Sequence, residues 1–359
     1  MDILLYGEYS SLHRFLKEGL QQIGNHSIRL ISGGDGWKKI PGRDFDPPTR
    51  KGNGIYAYAK YLWEWVDFID RQIHFDVVQF INAGAFPRPI ARILINKLRK
   101  SNRCLSLLCA GDDYELVLLY RKHFFKHSHY DFEKKSLVRY KKTTVMGRLS
   151  IANEKYMANQ VDIIIPSLYE YSLGYAGKNM YDIIPFPINL DGLEYQPNIP
   201  KGKIVFFHGI NRELAKGTPF IRAALNRLAE RYPNDVDVII NQRMPYNEYV
   251  QVMRRANVIV DQCCGNGYGI NACLSMAQGK VTMAGNDPTQ RPSINSEFCP
   301  IVHVEPDADQ IYAQFEFLLE NRRNFEQWGY ESRKYVETYH ECKMIAQKYV
   351  DAWKSTGKV

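Results

Sequence analysis

Residues 204–220 read IVFFHGINRELAKGTPF. The first four are apolar, as in a buried strand, and the residues after Thr218-Pro219 are apolar at helical spacing. Thr218 is predicted to be the N-cap and Pro219 the first residue of the helix, because both favour these positions. A loop between a strand and a helix lies at the carboxyl edge of a parallel sheet, where α/β folds bind ligands. The stretch therefore predicts an α/β domain with a ligand site.

The alternation of strand and helix extends in both directions from this stretch. The pattern predicts strands at 2–6, 27–31, 77–81, 104–109, 161–165, 204–207, 236–241, 258–261 and 281–284. Predicted helices include 56–73, 89–98, 219–231, 246–256 and 270–278. Such alternation is typical of doubly wound parallel sheets with helices on both faces.

Four prolines between residues 185 and 200 cannot lie inside a sheet and predict a linker. We therefore expect one domain over 1–186 and a second over 187–330. Residues 331–359 form a third segment. Glu331–Trp353 has a single helical pattern, long enough to leave one domain and lie across the other.

Composition restricts the class of protein. The 359 residues contain 45% hydrophobic residues and no apolar run of about 18, so no membrane-spanning helix is expected. The N-terminus lacks the features of a signal peptide, and seven scattered cysteines form no CxxC pair. These features favour a cytoplasmic protein without a zinc site. The net charge of +8 suits anionic partners, and with no nucleic-acid-reading motif present, nucleic acid is the least favoured of them.

Two cationic residues lie in the loop that precedes the helix at 219. Free backbone N–H groups at Gly217–Pro219 would attract a phosphate, and Arg212 and Lys216 could each add a charge-assisted contact. Both side chains are expected at the surface. The alternative is that both are solvated loop charges.

A second loop of the same kind follows the strand at 258–261. Residues 261–271 read DQCCGNGYGIN, and three glycines in five residues let a ligand approach the backbone closely. Taken alone, it could be a plain strand-to-helix connection. Two such loops in one domain favour a binding site.

The stretch GYGINACLSMAQG at 267–279 resembles the glycine–aromatic–glycine loop and following helix of retaining glycosyltransferase family 4. Arg212 and Lys216-Gly217 resemble the diphosphate-binding pair of that family. Gly7 and the turn after it are similar to its first acceptor loop. The resemblance covers nearly the whole chain and is specific in the C-terminal half.

The resemblance implies a GT-B fold of two Rossmann-like domains facing across a cleft. It implies a nucleotide-sugar donor in the C-terminal domain and a saccharide or lipid-linked saccharide acceptor in the N-terminal domain, with the last helix packing toward the latter. The implied reaction is transfer of a hexosyl group with retention of configuration, in cell-surface polysaccharide synthesis, without a cofactor or metal. The phosphate itself takes the acceptor proton, so positioning and neutralisation of the leaving diphosphate carry the catalysis.

The residues that the resemblance implies fall into four groups. The catalytic group is Arg212, Lys216 and Asn266. The donor phosphate and sugar would be bound by Gly209, Gly217, Thr218, Gly265, Gly267, Tyr268, Gly269 and Ile270. The nucleoside would contact Met244, Asp261 and Leu274. The acceptor side comprises Gly7, Glu8, Asp112 and Asp113, although the two aspartates could equally cap the next turn.

The sequence departs from the family at three positions. Asn266 and Leu274 stand where the family usually has two glutamates, the first supporting the donor sugar and the second the ribose. Asn266 can still hydrogen-bond a hydroxyl, whereas Leu274 offers no polar contact. Ala110 replaces a frequent histidine of the N-terminal domain.

Basic residues mix with aromatic residues between Tyr120 and Lys142. This mixture suits peripheral contact with an anionic membrane that carries a lipid-linked acceptor. Asp131 and Glu133 interrupt it, which leaves an ordinary solvated face as the alternative.

Two other functions are compatible with the same fold. One is a nucleotide-sugar epimerase, which needs acid–base residues, and the other is a nucleotide-sugar binding protein without transferase activity. A dinucleotide oxidoreductase is least favoured, because Gly7 begins no GxGxxG pattern.

Overall fold

The computed structural model describes residues 1–242, 244, 246–287 and 297–359, apart from the side chains of Trp37, Ser136, Tyr246 and Asn247. The contacts within the chain divide it into two compact units. Unit 1 comprises residues 1–122, 135–189 and 342–359, and unit 2 comprises residues 123–134 and 190–341. The short segment 123–134, which the sequence analysis included in the first domain, packs with unit 2.

Unit 1 has a five-stranded parallel sheet in the order β2-β1-β3-β4-β5. Its strands are β1 Asp2–Tyr6, β2 Ser27–Ile31, β3 Val77–Phe80, β4 Cys104–Cys109 and β5 Ile163–Pro166. Its helices are α1 Leu12–Ile23, α2 Ile55–Asp70, α3 Ala91–Ser101, α4 Tyr114–Arg121, α5 Val145–Gln160 and α6 Tyr169–Gly174. Every residue of β4 is buried, as expected for a central strand of a parallel sheet covered on both faces.

The second unit has the same strand order, β7-β6-β8-β9-β10. Its strands are β6 Ile204–Ile210, β7 Val236–Gln242, β8 Val258–Val260, β9 Val281–Ala284 and β10 Val302–His303. Its helices are α7 Glu213–Lys216, α8 Thr218–Arg231, α9 Tyr246–Arg255, α10 Ile270–Ala277, α11 Ala308–Glu320 and α12 Phe325–Tyr339. Phe206 packs with α8 and α11, and Phe207 packs with α9 on the opposite face, because side chains alternate along a strand.

The last part of the chain differs from its prediction. A single helix over Glu331–Trp353 is wrong, because α12 ends at Tyr339 and a separate helix, α13, covers Cys342–Lys354. The backbone N–H of Cys342 donates to the carbonyl of Ile188 at 2.9 Å instead of to a helical carbonyl. At this point the chain also passes from unit 2 to unit 1.

Helix α13 is part of the core of unit 1. The buried Trp353 donates its indole N–H to Oε1 of Gln79 on β3 at 3.1 Å. Helix α13 packs against α1 so closely that a Cβ at Gly19 would lie 2.2 Å from the carbonyl oxygen of Cys342. Across the described residues, no helix is both long and apolar enough to cross a bilayer.

Candidate functional site

The site in unit 2 lies where the order of its strands reverses. Strands β6 and β8 are neighbours, and their connections leave in opposite directions, to β7 and to β9. Such a switch point leaves a crevice at the carboxyl ends of the two strands. The two loops singled out in the sequence, 211–217 and 261–269, follow these strand ends.

Lys216 and Asp261 connect the two loops. The Lys216 Nζ donates to Oδ1 of Asp261 at 2.8 Å and to the carbonyl of Gly209 at 2.9 Å. Lys216 is 8% exposed and Asp261 is 2% exposed, so the expectation that Lys216 lies at the surface is wrong. Asp261, predicted to contact the nucleoside, accepts this hydrogen bond from the lysine in the ligand-free protein. An ammonium has three donors, and the described residues accept from two of them, which leaves one for a ligand.

Asn271 was missed by the sequence analysis. It is the second residue of α10, and its Nδ2 donates to the same Asp261 oxygen at 2.8 Å. Its Oδ1 accepts from the hydroxyl of Tyr249 on α9. The start of α10 is thereby tied to the lysine that precedes α8. Two helix N-termini, each with a partial positive charge, therefore converge near Lys216.

His208 also joins separate elements and was not among the predicted site residues. Its Nδ1 lies 2.7 Å from the Val260 carbonyl and its Nε2 lies 2.9 Å from Oγ1 of Thr218. A carbonyl can only accept, so Nδ1 carries the proton and Nε2 accepts from the threonine hydroxyl. Burial, with a smaller contribution from the Lys216 charge, lowers the pKa of His208 to about 4, so it is neutral at pH 7.

The start of α8 differs from its prediction by one residue. Gly217 is the N-cap, with φ of 72°, and Thr218 is already helical, its hydroxyl bound to His208. A Cβ at Gly217 would lie 2.2 Å from Sγ of Cys263 and 2.7 Å from Sγ of Cys264. Glycine is therefore required at 217 both for its backbone conformation and for the close approach of the two loops.

Arg212 lies at the mouth of the same loop, with 46% of its side chain exposed. Its Nε and Nη2 donate to Oε2 of Glu133 at 3.0 and 2.7 Å. Glu133 belongs to the segment 123–134. A residue distant in sequence therefore contacts Arg212, the arginine predicted to bind the phosphate. Nothing in the local sequence pattern indicated this pair.

The glycine-rich loop is held by its neighbours. Gln262 Nε2 donates to the Gly267 carbonyl at 3.1 Å, and the Asn266 carbonyl accepts from Asp287 N at 2.9 Å. Gly265 is packed against Gly285, where a Cβ would lie 1.8 Å from the Gly265 carbonyl oxygen. The Asn266 side chain is half-buried beside these contacts.

Tyr268 was predicted to bind the donor, but its side chain is turned into the protein. Its hydroxyl lies 2.9 Å from that of Tyr335 and 3.0 Å from Nε2 of His340. Tyr268 is buried, so its ring anchors the glycine-rich loop to α12. The glycines on either side, Gly267 and Gly269, leave only backbone at this part of the loop.

The other predicted residues differ in how accessible they are. Ile270 begins α10 and is buried, whereas Leu274, one turn on, is half-buried on the same face as Asn271. The side chain of Leu274 is therefore partly accessible. Met244 is half-buried in the segment after β7.

Unit 1 has its own switch point, between β1 and β3. Gly7 follows β1 with φ of 93°, and a Cβ there would lie 2.5 Å from Cγ2 of Ile81, which follows β3. Glu8 is buried, and its Oε2 accepts from the backbone N–H of Arg14 in the first turn of α1 at 2.9 Å. No described residue hydrogen-bonds its Oε1. Burial raises the pKa of Glu8 to about 7.

Asp113 has the capping role that the sequence left open as the alternative to acceptor binding. It is the N-cap of α4: Oδ1 accepts from Leu116 N at 2.8 Å and Oδ2 from the Tyr175 hydroxyl at 2.9 Å. Burial, with a smaller contribution from the Glu154 charge, raises the pKa of Asp113 to about 7. Asp112 is half-buried beside it, and its carbonyl accepts from Asn82 and Tyr140.

The basic and aromatic segment is divided between the two units. Within it, Lys126 pairs with Glu305 in unit 2, and Arg139 pairs with Glu154 in unit 1. Lys141 and Lys142 remain exposed.

The sequence matches no protein-family model, and no curated protein sequence matches it. Solved structures do match over the whole chain. Sucrose-phosphate synthase from Thermosynechococcus elongatus is 15% identical, with a TM-score of 0.65 over 99% of this chain and 98% of that one. HepE from Anabaena, in complex with UDP and glucose, is 12% identical, with a TM-score of 0.65 over 99% of this chain and all of that one.

An epimerase has the same architecture. UDP-GlcNAc 2-epimerase from Neisseria meningitidis, bound to UDP-GlcNAc, is 13% identical, with a TM-score of 0.59 over 99% of this chain and all of that one. Together with the two parallel sheets of equal strand order, these likenesses show that the chain has the GT-B fold.

Proposed function

We propose that the protein is a glycosyltransferase that takes its sugar from a nucleotide-sugar donor bound to unit 2. The observation that carries the proposal is the position of Lys216. Its ammonium is fixed at the switch point of the sheet, between the starts of α8 and α10, by Asp261 and Gly209. The expected ligand is a diphosphate, since two helix dipoles and a cation favour an anion there. The N–H of Gly217, predicted to be free for a phosphate, instead donates to the Leu214 carbonyl at 3.1 Å.

Each residue of this site has a specific part in the proposed reaction. Lys216 keeps one N–H for a phosphate oxygen, and Arg212, more exposed, can contact the same group in bidentate fashion. Both cations oppose the negative charge that grows on the leaving diphosphate, which stabilises the transition state. His208 and Asp261 hold the loop in position.

The finer features of the reaction are part of the same proposal. The acceptor hydroxyl would attack the anomeric carbon on the face from which the diphosphate leaves, and a phosphate oxygen would take its proton. The new glycosidic bond then replaces the sugar–phosphate bond on the same face, so the sugar keeps its anomeric configuration. A saccharide or lipid-linked saccharide acceptor would bind to unit 1 near Gly7 and Asp112. Arg212 and Lys216 supply the positive charge, so we propose that transfer of a hexosyl group needs no metal and persists in the presence of EDTA.

The donor can be identified by a thermal-shift screen of UDP-, GDP- and dTDP-sugars, followed by mass spectrometry of the products. Arg212→Ala removes a charge-assisted contact worth about 1.5–3 kcal/mol, and should weaken nucleoside-diphosphate binding about ten- to a hundredfold. Arg222→Ala is the matched control, because Arg222 is equally exposed on α8 and pairs with Glu213. Equal binding by Arg212→Ala and wild type would place the donor site elsewhere.

Epimerisation of a nucleotide sugar is the second candidate. Epimerisation is favoured by two carboxyl groups, those of Glu8 and Asp113. Burial raises the pKa of each to about 7, and proton transfer needs groups that titrate near neutral pH. Both are engaged in helix capping, which makes transfer the better-supported function. NMR of the donor after incubation without acceptor separates the two, because only an epimerase changes the configuration of its sugar. If the protein binds the donor but neither transfers its sugar nor epimerises it, it is a nucleotide-sugar binding protein without transferase activity.

The last part of the proposal concerns the membrane that would hold a lipid-linked acceptor. We propose peripheral contact with an anionic membrane, at its cytoplasmic face, where a lipid-linked acceptor and polysaccharide synthesis are found together. The exposed Lys141 and Lys142, close to the exposed apolar Val145 and Met146, support this.

A further inference from the structure

The segment 123–134 leaves unit 1 and is anchored in unit 2. The Phe132 ring packs against that of Phe220 on α8, with their centroids 5.2 Å apart. Tyr130 is fully buried, and Lys126 Nζ lies 2.5 Å from Oε2 of Glu305. These anchors fix the position of the next residue along, Glu133.

The carboxylate of Glu133 is bound as an anionic ligand would be. Two donors of one Arg212 guanidinium, Nε and Nη2, meet at its Oε2 atom. A phosphate oxygen offers the same geometry and the same charge to an arginine. The pair is partly exposed, with 20% of the Glu133 side chain and 46% of the Arg212 side chain accessible, so it can be exchanged.

We propose that Glu133 determines the affinity of the donor site by competing with the diphosphate for Arg212. This inference rests on the proposed function of unit 2. In the ligand-free protein Glu133 occupies the guanidinium, and the diphosphate displaces it, because two anions at one pair of donors repel each other. After transfer, Glu133 returns to Arg212 and promotes release of the nucleoside diphosphate.

A competing role and a purely structural role of Glu133 predict opposite changes in diphosphate affinity when Glu133 is removed. If Glu133 only orients Arg212 for the ligand, its removal weakens binding. If it competes, its removal tightens binding, by an amount set by the strength of an exposed ion pair. Such pairs contribute about 0.2–1 kcal/mol, so the expected gain in affinity is about threefold.

The experiment is calorimetric titration with UDP, GDP and dTDP in parallel at low ionic strength. Glu133→Gln keeps the size of the side chain and removes its charge, and should bind the diphosphate about threefold more tightly than wild type. The gain should fade in 0.5 M NaCl, since exposed charges are screened. Glu213→Gln is the matched control: it makes the same charge change at the residue next to Arg212, but Glu213 pairs with Arg222.

A double substitution separates this inference from the proposed function. In the Arg212→Ala background, Glu133→Gln should give no further change in the dissociation constant. Competition is wrong if Arg212→Ala weakens diphosphate binding but Glu133→Gln does not tighten it. It is also wrong if Glu213→Gln tightens binding as much as Glu133→Gln does. In both cases the proposed donor site is still supported by the effect of Arg212→Ala. If none of the three diphosphates binds, or Arg212→Ala binds like wild type, the proposed donor site is wrong, and the proposed competition is wrong with it.

Discussion

The Nζ atom of Lys216 lies 2.8 Å from Oδ1 of Asp261, and both side chains are almost completely buried in unit 2. A buried ion pair is costly to break, because removing one partner leaves the other charge in a medium that solvates it poorly. Asn271 still donates to the aspartate but carries no charge. The pair therefore has a structural role besides its proposed contact with the donor.

Lys216→Ala should lower the free energy of unfolding by about 3 kcal/mol, in addition to weakening nucleoside-diphosphate binding. Urea unfolding measures the loss. Lys216→Ala combined with Asp261→Asn should recover part of that stability, because the unpaired carboxylate is gone. A double variant no more stable than the single one would mean that the buried charge is not the cause.

The sequence predicted local structure well and long-range contacts poorly. Buried apolar runs such as Cys104–Cys109 identified strands, and glycines identified both loops of the site, with cations beside them in the first. The inward direction of Tyr268 depends on His340, 72 residues away, which no local pattern encodes. The contact of Glu133 with Arg212, 79 residues apart, is hidden for the same reason.

The break between α12 and α13 is a different kind of failure. The apolar periodicity continues through residues 340 and 341, so one helix was predicted. The backbone of Cys342 instead pairs with Ile188, and the chain crosses from unit 2 into unit 1 there. Periodicity records which residues are buried but not which unit buries them.

Asp113 should make unit 1 less stable as the pH rises. Its pKa is about 7 in the folded protein and about 3.9 in an unfolded chain, so between these values the folded state binds more protons. Its contribution is fully present below about pH 4 and is lost as the pH rises through about 7. Asp113→Asn keeps a capping oxygen and removes the charge, so the variant should lack this part of the pH dependence.

The measurement for Asp113 is the free energy of unfolding of both proteins from pH 4.5 to 8. The advantage of Asp113→Asn over wild type should grow with pH and level off above about pH 7. Asp112→Asn is the control, because the neighbouring Asp112 does not cap α4. A constant difference between wild type and Asp113→Asn would show that the carboxyl does not titrate in this range.

Lys141 and Lys142 should direct the protein to anionic membranes. Six basic residues and no acidic residue occur between 134 and 153, and Val145, 67% exposed, and Met146, 50% exposed, lie next to the two lysines. Vesicles with phosphatidylserine should therefore cosediment with the protein better than neutral vesicles, and high salt should abolish the preference.

The matched variants for the membrane test both reverse two charges on unit 1. Lys141→Glu with Lys142→Glu should lose binding to anionic vesicles. Lys348→Glu with Lys354→Glu, on exposed positions of α13, should keep most of it. Equal losses in the two variants would indicate attraction by net charge alone, and an absence of any lipid preference would make the segment a plain solvated face.

Leu274→Glu is the sharpest test of the resemblance to the glycosyltransferase family. Leu274 is half-buried on the face of α10 that carries Asn271, the residue tied to Asp261. If the alignment is in register, this position faces the ribose, and a glutamate there should tighten nucleoside-diphosphate binding by about 1 kcal/mol through a hydrogen bond to its hydroxyls. Calorimetry with UDP and GDP measures the change, and Leu274→Gln separates hydrogen bonding from charge. Because the wild-type side chain is partly exposed, the substitution should leave the fold intact, unlike Met276→Glu, which places a charge at a fully buried position of the same helix. An unfolded Leu274→Glu protein would show that Leu274 packs as Met276 does and that the alignment of this loop is out of register.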